Sequence, residues 1–202
     1  MTLQRVKAAE TDLNRVRKIN ALIDQTNGVG ATGTVASASG VEASHTSGGV
    51  FKTVLTLTNT SITMTDAGAA GSHGSLKVMD FPAGNIAFLG ATTDLAIVAG
   101  TGGITDTAAV VGGVGTATVG TGDATLTTTE QDLVPSTAAT LSSGAGAFDG
   151  QSVTAGIAVF DGTATPIDAW LNFAIPDAGS TANDTLTVNG TITLVWANLG
   201  DN

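Results

Sequence analysis

Apolar and polar residues alternate with a period of two along much of this chain, most clearly in its closing stretch, Asp184 to Asn198 (DTLTVNGTITLVWAN). Leu186 and Val188 precede Asn189-Gly190, Ile192, Leu194 and Trp196 follow it, and Thr185, Thr187, Thr191 and Thr193 fill the positions between. Such alternation, with β-branched polar residues on the second face, predicts strands with one face buried. Asn-Gly tolerates positive φ, so it predicts a tight two-residue turn that makes the stretch a hairpin. A hairpin with one apolar face needs a second layer to cover it.

Upstream material supplies that layer. VFKTVLTLT (50–58) and SITMT (61–65), split by an Asn-Thr turn, read as strands. So do SLKVMDF (75–81), NIAFL (85–89), DLAIV (94–98), VGTATV (114–119), ATLTT (124–128), SVTAGIAVF (152–160) and AWLNFAI (169–175). Gly, Asp, Asn, Ser and Pro punctuate them roughly every eight to twelve residues, without helical patterns between, which predicts an all-β antiparallel sandwich of jelly-roll type over residues 50–202. The glycine-rich passages Gly100–Gly103, Gly112–Gly115 and Gly144–Gly150 read as surface loops, and both tryptophans, Trp170 and Trp196, as core.

The first 49 residues follow other rules. Val6, Ala9, Leu13, Val16, Asn20 and Ile23 step by three and four, the spacing of a heptad seam, and predict an amphipathic helix over 1–25. Asn20 stands at a core-type position of that seam, where a buried amide fixes register. Asn27-Gly28 ends the helix with residues suited to the left-handed conformation. Two readings of the helix stay open: a self-associating coil, or a helix docked on its own body. Residues 26–49 hold almost no bulky apolar side chain, so they cannot offset their ordering entropy alone and read as an extended arm or tether.

Charge changes the picture on one point. Only 12% of residues are charged, and the net charge is −10. Arg5, Lys7, Arg15, Arg17 and Lys18 lie against Glu10, Asp12 and Asp24 in the first 24 residues, so the remainder, whose only cations are Lys52 and Lys77, is strongly acidic. A body of that sign is repelled by phosphate backbones, which argues against direct nucleic-acid binding. The absence of cysteine excludes thiolate catalysis and Cys-ligated zinc. The start lacks the apolar core of a signal peptide and no run approaches the roughly 18 apolar residues of a membrane helix, so synthesis in a cytoplasm and no membrane partner are expected.

Candidate chemistry is sparse. His45 and His73 are isolated, without metal-ligand spacing, and are expected to be exposed. Gly28-x-Gly30-x-x-Gly33 matches a dinucleotide fingerprint literally, but it follows a predicted helix and opens a linker, the reverse of the context that loop requires. Gly120-Thr-Gly122-Asp123 does not recur as a calcium nonapeptide must. The common nucleophile signatures and the phosphate-binding loop are missing. The expectation is a non-enzyme with no cofactor and no metal.

The runs SHGSLKVMDFPAGNIAFLGATTDLAIV, FDGTATPIDAWLN and TLTVNGTITLVWANLGD resemble virion structural proteins of tailed bacteriophages. They are similar in particular to small Gly/Thr/Ala-rich proteins of marine podovirus-like phages. The resemblance covers most of residues 70–200 and lies in texture, not in a catalytic motif. It implies a capsid decoration (cement) protein on the virion exterior, with a head- or tail-fibre, receptor-binding module as the alternative. An enzyme acting on cell-surface polysaccharide ranks last. The implied partners are further copies of the chain, as a trimer, and the major capsid protein or other virion proteins. Val6, Leu13, Val16, Asn20 and Ile23 are the expected oligomer or capsid contacts.

Overall fold

A computed structural model describes residues 34–35, 40–46, 49–120, 124–151 and 158–200. The helix expected over 1–25, with Val6, Leu13, Val16, Asn20 and Ile23, lies outside the described residues. Among these, the strands are β1 (Thr34–Val35), β2 (Val41–Thr46), β3 (Phe51–Asp66), β4 (Ser72–Asp80), β5 (Gly84–Ala99) and β6 (Ala109–Gly115). They continue as β7 (Val134–Thr140), β8 (Ala145–Gln151), β9 (Ala158–Gly162), β10 (Asp168–Ile175) and β11 (Asp184–Asn198). Three 3-10 turns, at Gly68–Ala70, Thr128–Glu130 and Asp177–Gly179, complete the described regular structure.

The strands pair antiparallel in the order β7-β6-β10-β4-β3-β11-β5-β8. β1 adds to β4, β2 to β3 and β9 to β5. The sheet curls into a half-barrel, and the short connection Leu141–Gly144 brings its two end strands to one corner through a single bridge, Ser142 to Ala145. All-β architecture therefore stands as expected from the alternation.

One core fills the curl. Phe148 of β8 meets Phe173 of β10 edge-on, ring centroids 5.8 Å apart, although these strands lie far apart in the sheet order. Trp196 stacks on Phe51 at 4.5 Å, meets Phe81 edge-on at 5.2 Å, and donates its indole N–H to buried Thr53 Oγ1 at 3.0 Å. The hydroxyl of Thr53 thus satisfies the one polar atom that burial of a tryptophan brings with it.

The expected terminal hairpin does not form. β11 is one continuous strand, paired with β3 on one edge and β5 on the other. The reason is parity. In a two-residue hairpin Val188 would stand opposite Thr191, sending Leu186 and Val188 to one face and Ile192, Leu194 and Trp196 to the other. All five are fully buried on one face, as only an uninterrupted strand allows.

The irregularity lies in the neighbouring strands instead. Val188 pairs with Thr60 and Gly190 with Leu57, so β3 carries one extra residue there. Asn59 takes a left-handed φ of 48°, and its N–H donates to Asn189 Oδ1 at 2.7 Å. Buried positions of β3 change from odd (Phe51, Thr53, Leu55, Leu57) to even (Thr60, Ile62, Met64) across this bulge. β3 is therefore one strand, not two joined by a turn. β5 is likewise one strand where two were expected: Val195 pairs with Gly90 and Trp196 with Phe88, and its buried positions pass from Ile86 and Phe88 to Ala91, Thr93, Leu95 and Ile97. Bulges increase local twist, which lets long strands follow a curled surface.

Two glycine-rich passages expected as loops are strands. Gly112–Gly115 lies in β6, and most of Gly144–Gly150 lies in β8. A Cβ at Gly112 would stand 2.7 Å from a Phe173 ring carbon and 2.8 Å from one of Phe148, so glycine makes room for two core aromatics. Conversely, the strand expected at 124–128 is absent, and that expected at 114–119 ends at Gly115.

Candidate functional site

β10 presents Leu171, Phe173 and Ile175 to the core, and the intervening Trp170, Asn172 and Ala174 to its other face. Around Trp170 lies the main ionic cluster of the described body. Lys77 Nζ stands 2.5 Å from Asp80 Oδ1 and 3.3 Å from Asp168 Oδ2, and 5.9 Å from the centre of the Trp170 ring. Asp80 and Asp168 are cross-strand partners, and a bulge at Val78 brings Lys77 opposite Trp170. The three charged side chains are about one-third exposed, 35%, 34% and 28%.

The hydrogen bond to Asp80 raises the Lys77 pKa, opposed by partial burial and assisted by Asp168. Burial raises the Asp168 carboxyl, and the neighbouring Asp80 carboxyl adds to this against the pull of Lys77. The lysine is thus held as an ammonium, the wrong state for a nucleophile. The arrangement can tie β4 to β10 and offer a half-buried tryptophan at the surface. Trp170 is therefore not core, which corrects the expectation for it.

A second arrangement covers the same face. Residues 116–120 and 124–133 lie against the outer side of β6 and β10, where Val119 and Leu126 pack on Ala174 and Val111. Asn172, fully buried, pins them. Its Nδ2 donates to the carbonyls of Ala117 and Glu130, both at 2.8 Å, and its Oδ1 accepts from Ser75 Oγ at 2.6 Å and from Val119 N–H at 3.2 Å. Glu130, only 7% exposed, accepts from Gly120 N–H and from the N–H of Thr127, closing a capping box on the turn it ends. Asp132 accepts from the N–H and hydroxyl of Thr116, and burial pushes its carboxyl up against those two hydrogen bonds.

Asp184 does similar work at the start of β11. Its Oδ2 accepts from the N–H groups of Gly102, Gly103 and Ile104 at 3.0, 2.8 and 2.9 Å. Burial raises its pKa, but these donors, with Thr185 N–H, outweigh it and hold the carboxyl below its ordinary value. The concave backbone these N–H groups form could hold an anion, and the protein's own carboxylate occupies it.

No set of three side chains able to hold a metal gathers among the described residues. His73 lies within β4, half-buried, with Nδ1 buried and unpartnered, so it is less exposed than expected. His45 belongs to β2. A surface hollow of about 300 Å³ lies between Leu89, Ala91, Gln151 and Val195, and another of about 250 Å³ between Thr105, Ala108 and Pro176. Neither is lined by a carboxylate, histidine or lysine, so neither brings an acid and a base onto one bound molecule.

The third arrangement lies at the N-terminal side. β3 and β4 pair only at Thr65–His73 and Asp66–Ser72 and then diverge. β2 lines the freed edge of β3, from Val41 opposite Leu57 to Thr46 opposite Lys52, and β1 lines that of β4. Parts of the stretch expected as a tether thus add to the sheet, with Val41 and Ala43 packing on the core. Gly40 O accepts from Thr58 N–H at 2.7 Å and from Thr60 Oγ1 at 3.1 Å, beside the Asn59 bulge.

Sequence reasoning missed Asn172, Glu130 and Asp184. The signals were present in part: an amide inside the apolar run AWLNFAI, and Thr127 three residues ahead of Glu130. The chain matches no protein-family model, and a search of curated proteins finds none similar to it.

Proposed function

We propose that this chain is a non-enzymatic structural protein of a tailed-phage virion, which decorates and stabilises the capsid as an oligomer, with three copies as the working number. In this reading the curled sheet is a sandwich of jelly-roll type. Its β7-β6-β10-β4 half faces its β3-β11-β5-β8 half, and the N-terminal segment, with Val6, Leu13, Val16, Asn20 and Ile23 of the expected helix, carries contacts to neighbours. The observation that carries the proposal is where the polar side chains are engaged. Asn172, Glu130, Asp132 and Asp184 hold the body's own backbone, and neither of the two hollows described above is lined by a titratable group. The likeness of residues 70–200 to tailed-phage structural proteins supports the same reading.

Trp170 favours the alternative of a fibre or receptor-binding module, because a half-buried tryptophan beside a cation is the composition of a contact hot spot. Electron microscopy of intact particles with this chain labelled separates the two. Density on the shell, together with capsids that open at lower temperature when the protein is missing, is the expected outcome. Label confined to the tail or fibres transfers the assignment to the alternative. Depolymerisation of host polysaccharide by the purified protein, abolished by one Asp substitution, overturns both.

A further inference from the structure

We infer that the edge slot between β3 and β4 is a strand-exchange site, filled in the assembled protein by residues 40–46 of a second copy of this chain. The inference rests on the oligomeric reading above.

The strand in the slot is separable from the body. The path from β7 to β8 is continuous without β2, whose ladder runs along β3 alone. The slot is also selective. A side chain at Gly40 would run into the carbonyl oxygen of Thr58. Thr60 is 1% exposed, so its hydroxyl depends on the Gly40 carbonyl as acceptor, and leaving it unpaired is costly. An empty slot would also bare the β3 edge along Lys52–Leu57 and uncover the core beside Val41 and Ala43. The slot therefore needs an occupant with a glycine followed by a short alternating strand, which this chain itself provides.

The described end of the connection that keeps the occupant in place, Gly49 and Val50, is weakly held. Only residues 47–50 join β2 to β3. Gly49 has a left-handed φ of 91°, with nothing within 4 Å of where its Cβ would be, and Val50 is 47% exposed. Moving Gly49 and Val50 breaks little packing. Strand contacts are the same whether the donor is the same chain or another, so the hinge and the local concentration of neighbours decide. Copies held together by an oligomer raise that concentration and favour exchange.

The chain has no cysteine, so introduced thiols report cleanly. Glu42 faces Thr56 and Ser44 faces Val54 in the register. Full-length E42C/T56C, and separately S44C/V54C, is refolded, oxidised and run on a denaturing gel without reductant. Covalent species at multiples of the chain mass are expected, and a co-refolded mixture of E42C and T56C chains should yield the mixed disulfide. Oxidised chains that all run as monomers with an internal disulfide overturn exchange, as does failure of both pairs to close, which removes the register itself. Sedimentation of the same samples before denaturation separates the two ideas. An oligomer with internal disulfides ends exchange alone, whereas a monomer ends the oligomeric reading with it.

Discussion

The long strands β3, β11 and β5 and the segment formed by residues 116–120 and 124–133 are both layers of the same molecule, but different forces hold them. The strands bury a mainly apolar face, from Phe51 through Ile192 to Ile97, and many of their outward positions are threonines, which make no demands on the interior. The segment buries three large apolar side chains, Val119 and Leu126 on the outer face and Leu133 in the main core, and is otherwise fixed by directed hydrogen bonds from Asn172, Glu130 and Asp132. Area burial tolerates sliding until parity is broken, whereas a hydrogen-bonded clamp fails when one donor is lost. The first kind of order leaves a periodic trace in the sequence. The second leaves isolated polar residues whose partners are far away.

The largest test of this contrast is Trp196→Ala. It should lower stability by about 3–5 kcal/mol, the usual cost of truncating a buried aromatic, and shift the whole chemical unfolding transition as one step. A midpoint left in place would refute a core centred on β11. Next is Asn172→Ala, which removes the donor to Ala117 and Glu130 carbonyls; a loss of about 1–3 kcal/mol is expected. Amide exchange should quicken within 116–133 more than within β11, and uniform quickening of both would erase the distinction drawn here. The smallest effect is at Asp184, where a strand residue holds a loop by charge. Its folded-state pKa lies below the ordinary value near 4, so its contribution is full above that pH and is lost as pH falls through the folded-state value. Asp184→Asn should cost about 1 kcal/mol or less at pH 7, and its stability should fall less steeply than the parent's on acidification. Equal acid slopes would assign the acid sensitivity elsewhere.

Legibility followed the same divide. β4, β10 and the buried face of β11 could be read directly, because Leu186 through Trp196 keep even parity over the whole stretch. That parity also contained the evidence against the hairpin, which the local preference of Asn-Gly obscured. β3 and β5 were cut in two because a bulge and a turn both break alternation, and the difference depends on a partner strand not adjacent in sequence. Gly112 and its neighbours read as a loop, since the reason for glycine there is a pair of phenylalanine rings from β8 and β10. Of the site, the capping pair Thr127 and Glu130 was visible in spacing, but Asn172 and Asp184 act over 42 and 81 residues of chain. The expected contacts Val6, Leu13, Val16, Asn20 and Ile23 lie outside the described residues.

The contrast between Trp196 and Trp170 has a spectroscopic consequence. The chain holds two tryptophans and no tyrosine, so its near-ultraviolet emission comes from those two indoles almost alone. One is sealed in an apolar stack and emits at the blue end. The other lies at the surface under an ammonium and beside two carboxylates, where its emission is redder and within reach of aqueous quenchers. Without any label, the protein therefore reports on its interior and on its β4–β10 face in separable parts of one spectrum.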